Sequence, residues 1–182
     1  MRVFLSFLLI LSLLAPCLAG KKRPGEKTGV VMEKLDTLFF ATGKIFMITT
    51  RHSVLTRHGP LAVRLNHRVY EGFVIHKITL GDSVLALDSV NTTVSFFKYI
   101  QLSDCDLVVV RTSTGGEACP ANFRIIELSS VRKPIVTGEF GTCIDEPEIT
   151  TTINGVILRL RDLRTGGTKA FWYENGSVSE VN

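Results

Sequence analysis

Cys119 and Cys143 lie twelve positions either side of Val131, and this symmetry constrains the fold more than any other feature of the sequence. The surrounding stretch, Asp104 to Glu148, is predicted as strand, glycine turn, strand, tight turn and strand. If Val131 is the centre of the second hairpin, the two cysteines face each other across an antiparallel pair. Facing Cβ atoms in such a pair are about 4.5–5.5 Å apart, which is close to disulfide range. We therefore predict a Cys119–Cys143 bond.

A third cysteine of this region, Cys105, is predicted to stay free. Reflecting the first hairpin about Gly115 places Cys105 opposite Ile125 rather than opposite Cys119. Free cysteine is among the most buried residue types, so we expect a small, buried apolar side chain at this position. A bonded pair together with one free thiol is the arrangement expected in an oxidising compartment.

Residues 1–19 have the pattern of a secretory signal peptide. Arg2 is followed by a short apolar run, and small residues precede the expected cleavage site after Ala19. The run is shorter than the roughly 20 residues that are needed to span a bilayer. A lipoprotein modified at Cys17 is the alternative, and Pro16 directly before that cysteine argues against it. The predicted location is secreted or periplasmic.

The rest of the chain is predicted as a flexible basic leader, residues 20–29, and a single β domain, residues 30–182. The leader holds four bases and one acid and is interpreted as a solvated tail, with an arm that touches a membrane or a polyanion as the alternative. Cleavage lowers the net charge from +4 to +3, because residues 1–19 contain one base and no acid. So mild an excess argues against nucleic acid as a partner. No second apolar run is long enough to predict a membrane span after cleavage.

Turn residues separate β-branched and aromatic runs at intervals of about ten residues, which predicts consecutive hairpins. The strongest signals are Asn154-Gly155 and Asn175-Gly176, because a type I′ turn needs positive φ at both central positions. Gly81-Asp82 suits a type II′ turn, and further turns are predicted at Thr42-Gly43 and Asn66-His67. The mature chain lacks a convincing apolar stripe at helical spacing. The predicted fold class is all-β, an antiparallel sandwich or barrel built from consecutive hairpins and containing one disulfide.

Two short motifs resemble nucleophile segments of hydrolases. Arg57-His58-Gly59 resembles the catalytic tripeptide of the histidine phosphatases, and Gly81-Asp82-Ser83 resembles the nucleophile block of secreted lipases and esterases. Both families require a further histidine downstream, and no histidine follows His76 in this chain. A serine without an oriented base is a weak nucleophile. A secreted phosphatase or esterase using His58 or Ser83 is therefore the alternative function, and no catalytic residue is assigned.

No metal site or cofactor is predicted. The four histidines, His52, His58, His67 and His76, are scattered singly. The sequence contains neither the His-x-x-x-His nor the Cys-x-x-Cys spacing that brings ligands together locally.

The segment around the second cysteine is acidic. It contains four acids and no base, namely Glu139, Asp145, Glu146 and Glu148. Pro147 restricts this loop, the predicted disulfide tethers it, and a rigid loop loses less entropy on binding. These acids are the candidate contact for a basic protein partner, with an ordinary solvated loop as the alternative. The predicted function is an exported, non-enzymatic binding module of unknown ligand, of the inhibitor or immunity type.

Two segments that contain the cysteines, residues 115–120 (GGEACP) and 140–145 (FGTCID), resemble segments of secreted bacterial β-rich proteins of uncharacterised function. The resemblance extends over residues 104–182. It implies an exported β domain stapled by cysteines, and it implies no activity. Cys105 is not part of the shared pattern, so the resemblance gives this residue no role.

Overall fold

The computed structural model describes residues 30–31, 47–68, 73–117, 119–144, 146–153, 155–162 and 165–181. These ranges contain thirteen β-strands and no helix. The strands are β1 (Val30–Val31), β2 (Met47–Thr56), β3 (Gly59–Arg68), β4 (Phe73–Leu80), β5 (Ser83–Asp88), β6 (Thr93–Gln101), β7 (Cys105–Ser113), β8 (Asn122–Ser129), β9 (Ile135–Val136), β10 (Glu148–Thr151), β11 (Gly155–Arg161), β12 (Thr168–Glu174) and β13 (Ser177–Val181). The predicted signal peptide and basic leader lie outside the described residues.

The strands form three antiparallel sheets, and within each sheet the spatial order follows the chain. Sheet A has the order β1-β2-β3-β4-β5, sheet B has β6-β7-β8-β9, and sheet C has β10-β11-β12-β13. Each sheet is a meander, and the chain completes one sheet before it begins the next. The predicted all-β, antiparallel class is therefore confirmed.

Sheet B is the middle layer of a three-layer sandwich. One apolar core joins sheet A to sheet B, and it includes Val54 and Ile78 from sheet A with Val108 from sheet B. A second core joins sheet B to sheet C, and it includes Val109 from sheet B with Leu158 from sheet C. The choice between sandwich and barrel is thus settled in favour of a sandwich.

The sequence of β7 explains why sheet B is central. The side chains from Cys105 to Val110 are all buried. Successive side chains of a strand point to opposite faces, so a continuous buried run requires a partner layer on each face. Accordingly, Val108 and Val110 belong to the core with sheet A, whereas Leu107 and Val109 belong to the core with sheet C.

Three of the predicted hairpins are confirmed. Asn175 and Gly176 have φ angles of 50° and 85°, the pattern of a type I′ turn. Gly81 has a φ of 56° while Asp82 does not have a positive φ, as in a type II′ turn. Gly155 begins β11 instead of occupying a positive-φ turn position. A Cβ at Gly155 would collide with the backbone of Tyr173, so close strand packing explains this glycine.

The hairpin predicted at Asn66-His67 is wrong, because β3 runs through both residues from Gly59 to Arg68. The turn lies instead at residues 57–58, and Gly59 follows it with a φ of 111°. Pairing of β3 with β2 on one side and β4 on the other outweighs the local turn preference of Asn66-His67. The turn predicted at Thr42-Gly43 lies outside the described residues.

The predicted disulfide is confirmed. Its predicted registry holds only beside the turn, because Phe123 pairs with Phe140, one residue out of symmetry about Val131, and neither cysteine lies in a strand. Cys119 and Cys143 are bonded, with their Cα atoms 4.3 Å apart. In the β8–β9 ladder, Ile126 faces Val136, a pair that is symmetric about Val131.

Cys105 is free and buried, as predicted, although its predicted facing residue is wrong. Cys105 faces Ser129 rather than Ile125. The β7–β8 connection covers residues 114–121, so the centre of this hairpin lies at residue 117 instead of at Gly115.

Removal of the disulfide should destabilise the fold. Replacing both Cys119 and Cys143 with alanine should lower the free energy of unfolding by about 3 kcal/mol, because the bond closes a loop between cysteines that are 24 residues apart. Urea unfolding of the oxidised proteins measures the difference. Cys105→Ala is the control, since it leaves the bond intact and removes only a buried sulfur, at a cost of about 1 kcal/mol. A Cys105–Cys119 peptide in an unreduced digest would contradict the pairing.

Candidate functional site

Six hairpin turns gather at one end of the sandwich, which we call the turn end. They join β2 to β3, β4 to β5, β6 to β7, β8 to β9, β10 to β11 and β12 to β13. Two clefts open between these turns. The first is lined by Arg57, His58, Ser103, Asp104, Ser130 and Val131. The second is lined by Leu102, Ser103, Asp104, Cys105, Glu127, Arg132, Ile153 and Asn175.

The opposite end carries the disulfide, and we call it the disulfide end. It contains the β5–β6, β7–β8, β9–β10 and β11–β12 connections, at residues 89–92, 114–121, 137–147 and 162–167. The β9–β10 connection is the predicted acidic contact loop. The molecule therefore has two candidate surfaces, one at each end of the strands.

An ion pair with a buried carboxylate and a partly exposed arginine fastens the turn end of sheet A to sheet B. The Asp106 carboxylate is fully buried and accepts hydrogen bonds from Arg57 Nε at 2.6 Å, from the Arg57 backbone N at 2.8 Å and from the Tyr99 hydroxyl at 2.9 Å. Arg57 Nη2 also donates to the carbonyl oxygens of Leu102 and Cys105. Burial, followed by the bond to Asp106, raises the pKa of Tyr99 to about 12, so its hydroxyl remains a donor.

These bonds give the phosphatase-like tripeptide a structural role. The guanidinium of Arg57 is occupied by the Asp106 carboxylate and by main-chain carbonyls, whereas a phosphate ligand needs free donors. The His58 backbone N donates to Thr56 Oγ1, which closes the turn. The sequence Arg57-His58-Gly59 therefore forms a cross-sheet anchor.

Ser83 lies at the exposed start of β5, beside the turn of Gly81 and Asp82. Among the described residues, no hydrogen bond joins its hydroxyl to a histidine side chain. His58 lies on the neighbouring turn, since Gly81 N donates to the Pro60 carbonyl at 2.9 Å. The two residues of the alternative hydrolase hypothesis therefore share one end of the molecule without forming a nucleophile–base pair.

A second buried carboxylate fastens sheet C to sheet B. Glu127 is 2% exposed, accepts a bond from the Tyr173 hydroxyl at 2.7 Å and pairs with Arg132 at 2.8 Å. Burial, followed by the bond to Glu127, raises the pKa of the Tyr173 hydroxyl. Burial and the nearby Glu127 charge raise the pKa of the Cys105 thiol as well, which keeps it in the unreactive thiol form.

A third polar network lies near the disulfide end, between sheets A and B. Asp88 accepts bonds from the backbone and side chain of Asn91 and pairs with Arg124 at 3.1 Å. Burial alone would raise the pKa of Asp88, but the bonds from Asn91 and Val90 and the charge of Arg124 hold the pKa below its usual value. Glu139 completes the network by pairing with Arg124 at 2.9 Å and accepting a bond from Asn91 at 2.6 Å.

The four predicted contact acids therefore occupy different environments. Glu139 is committed to Arg124 and Asn91, so its charge is compensated within the protein. Glu146 and Glu148 are exposed. Asp145 lies outside the described residues.

The sequence interpretation missed Glu117, an exposed acid at the same end. Glu117 lies two residues before Cys119, and the disulfide draws that cysteine to the acidic loop. The predicted disulfide could have pointed to Glu117. Once Cys119 and Cys143 are bonded, residues beside Cys119 lie close to the loop that contains Cys143.

His76 is buried, at 3% exposed, on a strand that faces sheet B. It lies opposite Asp88 in the β4–β5 ladder. Neither ring nitrogen has a hydrogen-bond partner among the described residues. Burial lowers the pKa of His76, and the nearby Asn91 and Thr92 backbone and the Asp88 charge only partly oppose this effect.

Comparison with known proteins gives no relative from which an activity could be transferred, because no protein family, curated protein or solved structure matches the chain. Within the described ranges, no group of three or more His, Cys, Asp or Glu side chains is placed to hold a metal ion. The described part of the chain also has no helix with the length and apolar character needed to cross a membrane.

Breaking the Asp106 anchor should be costly. Asp106→Ala leaves the Tyr99 hydroxyl and the Arg57 backbone N without their buried acceptor, so we expect a loss of about 1–3 kcal/mol in the free energy of unfolding. Asp104→Ala, at an exposed neighbouring acid, is the matched control and should change it by less than about 0.5 kcal/mol. Urea unfolding measures both variants. Equal effects of the two substitutions would show that the anchor is not a stabilising contact.

His76 should make the fold less stable as pH falls. Its folded pKa is below 6.5, so between 6.5 and that lower value the unfolded chain binds the proton and the folded protein does not. Stability therefore decreases as pH falls through this window and is unaffected above it. His76→Gln cannot titrate and should flatten this part of the curve. Unfolding free energies measured against pH test the assignment, and an unchanged slope in His76→Gln would refute it.

Proposed function

We propose that the chain is an exported, non-enzymatic binding module that presents the acidic surface of its disulfide end to a basic protein partner. The observation that carries the proposal is the Cys119–Cys143 bond, which joins the two loops that hold the exposed acids. A disulfide in an all-β protein is compatible with an extracellular location.

The inner side of the acidic loop is anchored at several points. Phe140 exchanges two backbone hydrogen bonds with Phe123, at 2.8 and 2.9 Å. Phe140 and Ile144 pack against the core between sheets B and C. Thr142 Oγ1 donates to the Arg161 carbonyl at 2.8 Å, which ties the loop to sheet C. A loop held in this way loses little entropy on binding, which favours a contact role.

The outer side of the same loop carries charge. Glu146 is exposed on this loop, and Glu148 is exposed at the start of β10 directly after it, opposite Arg159 in the ladder. Glu117 is exposed on the loop that the disulfide joins to it. Surface acids contribute little to folding stability, so they can be replaced with little effect on the fold, which allows their role in recognition to be tested separately. Glu139 has the separate task of fixing the loop to Arg124.

The proposal predicts a loss of binding without a loss of stability. The test variant combines Asp145→Asn, Glu146→Gln and Glu148→Gln, and the matched control combines Asp82→Asn and Asp104→Asn at the turn end. Affinity capture from an envelope extract identifies partners of the wild type, and binding is then measured with the purified partner. We expect the test variant to bind about tenfold or more weakly, while its unfolding free energy changes by less than about 0.5 kcal/mol.

Salt provides a second readout, since attraction between exposed charges weakens as ionic strength rises. Equal binding by wild type and test variant at every salt concentration would refute the acidic contact. Phosphatase and esterase assays address the alternative hydrolase. Activity that disappears in His58→Ala or Ser83→Ala, with the fold intact, would replace the binding proposal with an enzymatic one.

A further inference from the structure

A cleft lies between the edges of sheets B and C, where β9 and β13 are the last strands. Its volume is about 410 Å³, which is within the range of pockets that hold small ligands. Phe140 and Phe171 form its apolar part, with ring centroids 5.3 Å apart, and Val178 packs against the same core. The cleft shares no lining residue with the two clefts of the turn end, so it is a separate candidate site.

The strand β13 carries main-chain groups without a partner strand along this cleft. The turn before β13 has two residues, so Glu174 and Ser177 form the hydrogen-bonded pair that closes it. Hydrogen-bonded and non-hydrogen-bonded pairs alternate along an antiparallel ladder, so Val178 and Glu180 belong to non-hydrogen-bonded pairs. Their N–H and C=O groups therefore point away from β12, to the side on which no described strand pairs with β13.

The side chains of Val178 and Glu180 point to the core face of sheet C. In the ladder they face Tyr173 and Phe171, which both belong to the core between sheets B and C. Facing side chains of an antiparallel pair lie on the same face of the sheet. A strand added beside β13 would therefore direct every second side chain into the cleft.

The described lining of the cleft contains two carboxylates and no base. The bonds that Glu139 accepts from Arg124 and Asn91 both use Oε1, so among the described residues Oε2 has no donor. Glu180 pairs with Lys169 at 2.8 Å, and both side chains are partly exposed. Such an exposed pair contributes little stability, so a base from a ligand can replace Lys169 at low cost.

We propose that this cleft binds an extended, basic peptide segment of a partner protein, which joins sheet C as a strand beside β13. The outward main-chain groups of Val178 and Glu180 supply the hydrogen bonds of strand addition. Apolar side chains of the segment lie against Phe140 and Phe171. A lysine or arginine between them meets the carboxylates of Glu139 and Glu180, which gives the site its preference for a basic segment.

A second copy of this chain is a less suitable occupant of the same edge. Antiparallel pairing of β13 with β13 about a twofold axis would bring both Glu180 side chains to one edge, and like charges at close cross-strand positions are destabilising. A basic strand from another protein meets no such repulsion. Charge complementarity therefore favours a different partner over self-association.

The inference rests on the proposed function, because it names the kind of segment by which a basic partner is held. The cleft is continuous with the acidic loop, since residues 137–140 belong both to the β9–β10 connection and to the cleft lining. The test uses the chain without residues 1–19, which keeps every described contact because the described fold begins at Val30.

The probe is the peptide acetyl-TVTKTVT-amide, in which both valines and the lysine share one face of an extended strand. It is added to ¹⁵N-labelled protein, and binding is followed by NMR. We expect saturable shifts of the Val178 and Glu180 amides, with a Kd of about 1 mM or tighter. The peptide acetyl-TVTETVT-amide, with glutamate in place of lysine, should bind about fivefold or more weakly.

A side chain at Gly138 should block the cleft. A Cβ at Gly138 meets nothing within 4 Å and its φ is not positive, so the fold tolerates Gly138→Leu. We expect this variant to bind the lysine peptide about tenfold more weakly. Gly116→Leu is the matched control, since Gly116 has the same freedom on the β7–β8 connection, outside the lining, and it should bind like wild type.

Two substitutions of Glu180 separate its charge from its backbone. Glu180→Gln removes only the charge and should weaken binding by about threefold. Glu180→Pro also removes the outward N–H, a change that an edge strand tolerates. It should weaken binding by a further factor of about five, the scale of one hydrogen bond. Equal binding by the two variants would contradict strand addition.

The proposal is overturned if the lysine peptide causes no saturable shifts, if the glutamate peptide binds as tightly, or if Gly138→Leu binds like Gly116→Leu. A wild-type dimer that Gly138→Leu abolishes and the lysine peptide does not dissociate would assign the edge to a second copy instead. Failure of the peptide with intact capture of a basic partner refutes the cleft alone. Peptide binding without any captured partner refutes the proposed function alone.

Discussion

Burial of both faces of sheet B is the constraint on which the remaining structure depends. The consecutive buried residues of β7 cannot be covered by a single partner sheet, because neighbouring side chains point in opposite directions. Sheets A and C meet that need from opposite sides, and each supplies one of the two cores. Each outer sheet needs only one apolar face, so its other face can carry polar and charged side chains.

Because successive side chains point to opposite faces of sheet B, each of its buried charged side chains faces only one of the outer sheets. Asp106 lies on the face that Val108 and Val110 share, and it anchors sheet A through Arg57. Glu127 lies on the face of Ile125, and it receives the Tyr173 hydroxyl from sheet C. Buried pairs of this kind add little net stability over apolar packing, but an unpaired partner is costly. We infer that these contacts fix the position of each outer sheet relative to sheet B. A displaced outer sheet would leave the carboxylate of Asp106 or Glu127 buried without its partner.

Much of the fold could be predicted from the sequence because its determinants are local. Asn175-Gly176 encodes its own turn, and the spacing of Cys119 and Cys143 on either side of one hairpin was enough to predict their bond. The role of Arg57 could not be predicted in the same way, because it depends on a carboxylate 49 residues away. The bond that holds the predicted contact acid Glu139 could not be predicted for the same reason, since its partner Asn91 is 48 residues distant. A charge within an otherwise buried strand, such as Asp106 in β7, is the one sequence sign of these anchors.

The agreement between strand order and chain order has a consequence for how this domain forms. In all three sheets, the spatial neighbours are strands that are also consecutive in the sequence, so the ladders are built from contacts of short sequence separation. Pairing between consecutive strands requires shorter loops to close than a crossover connection does, which favours faster formation of each ladder. Each meander can assemble as soon as its own strands are available. The cross-layer anchors, which close loops of 46 to 49 residues, are the contacts that must wait for a second sheet.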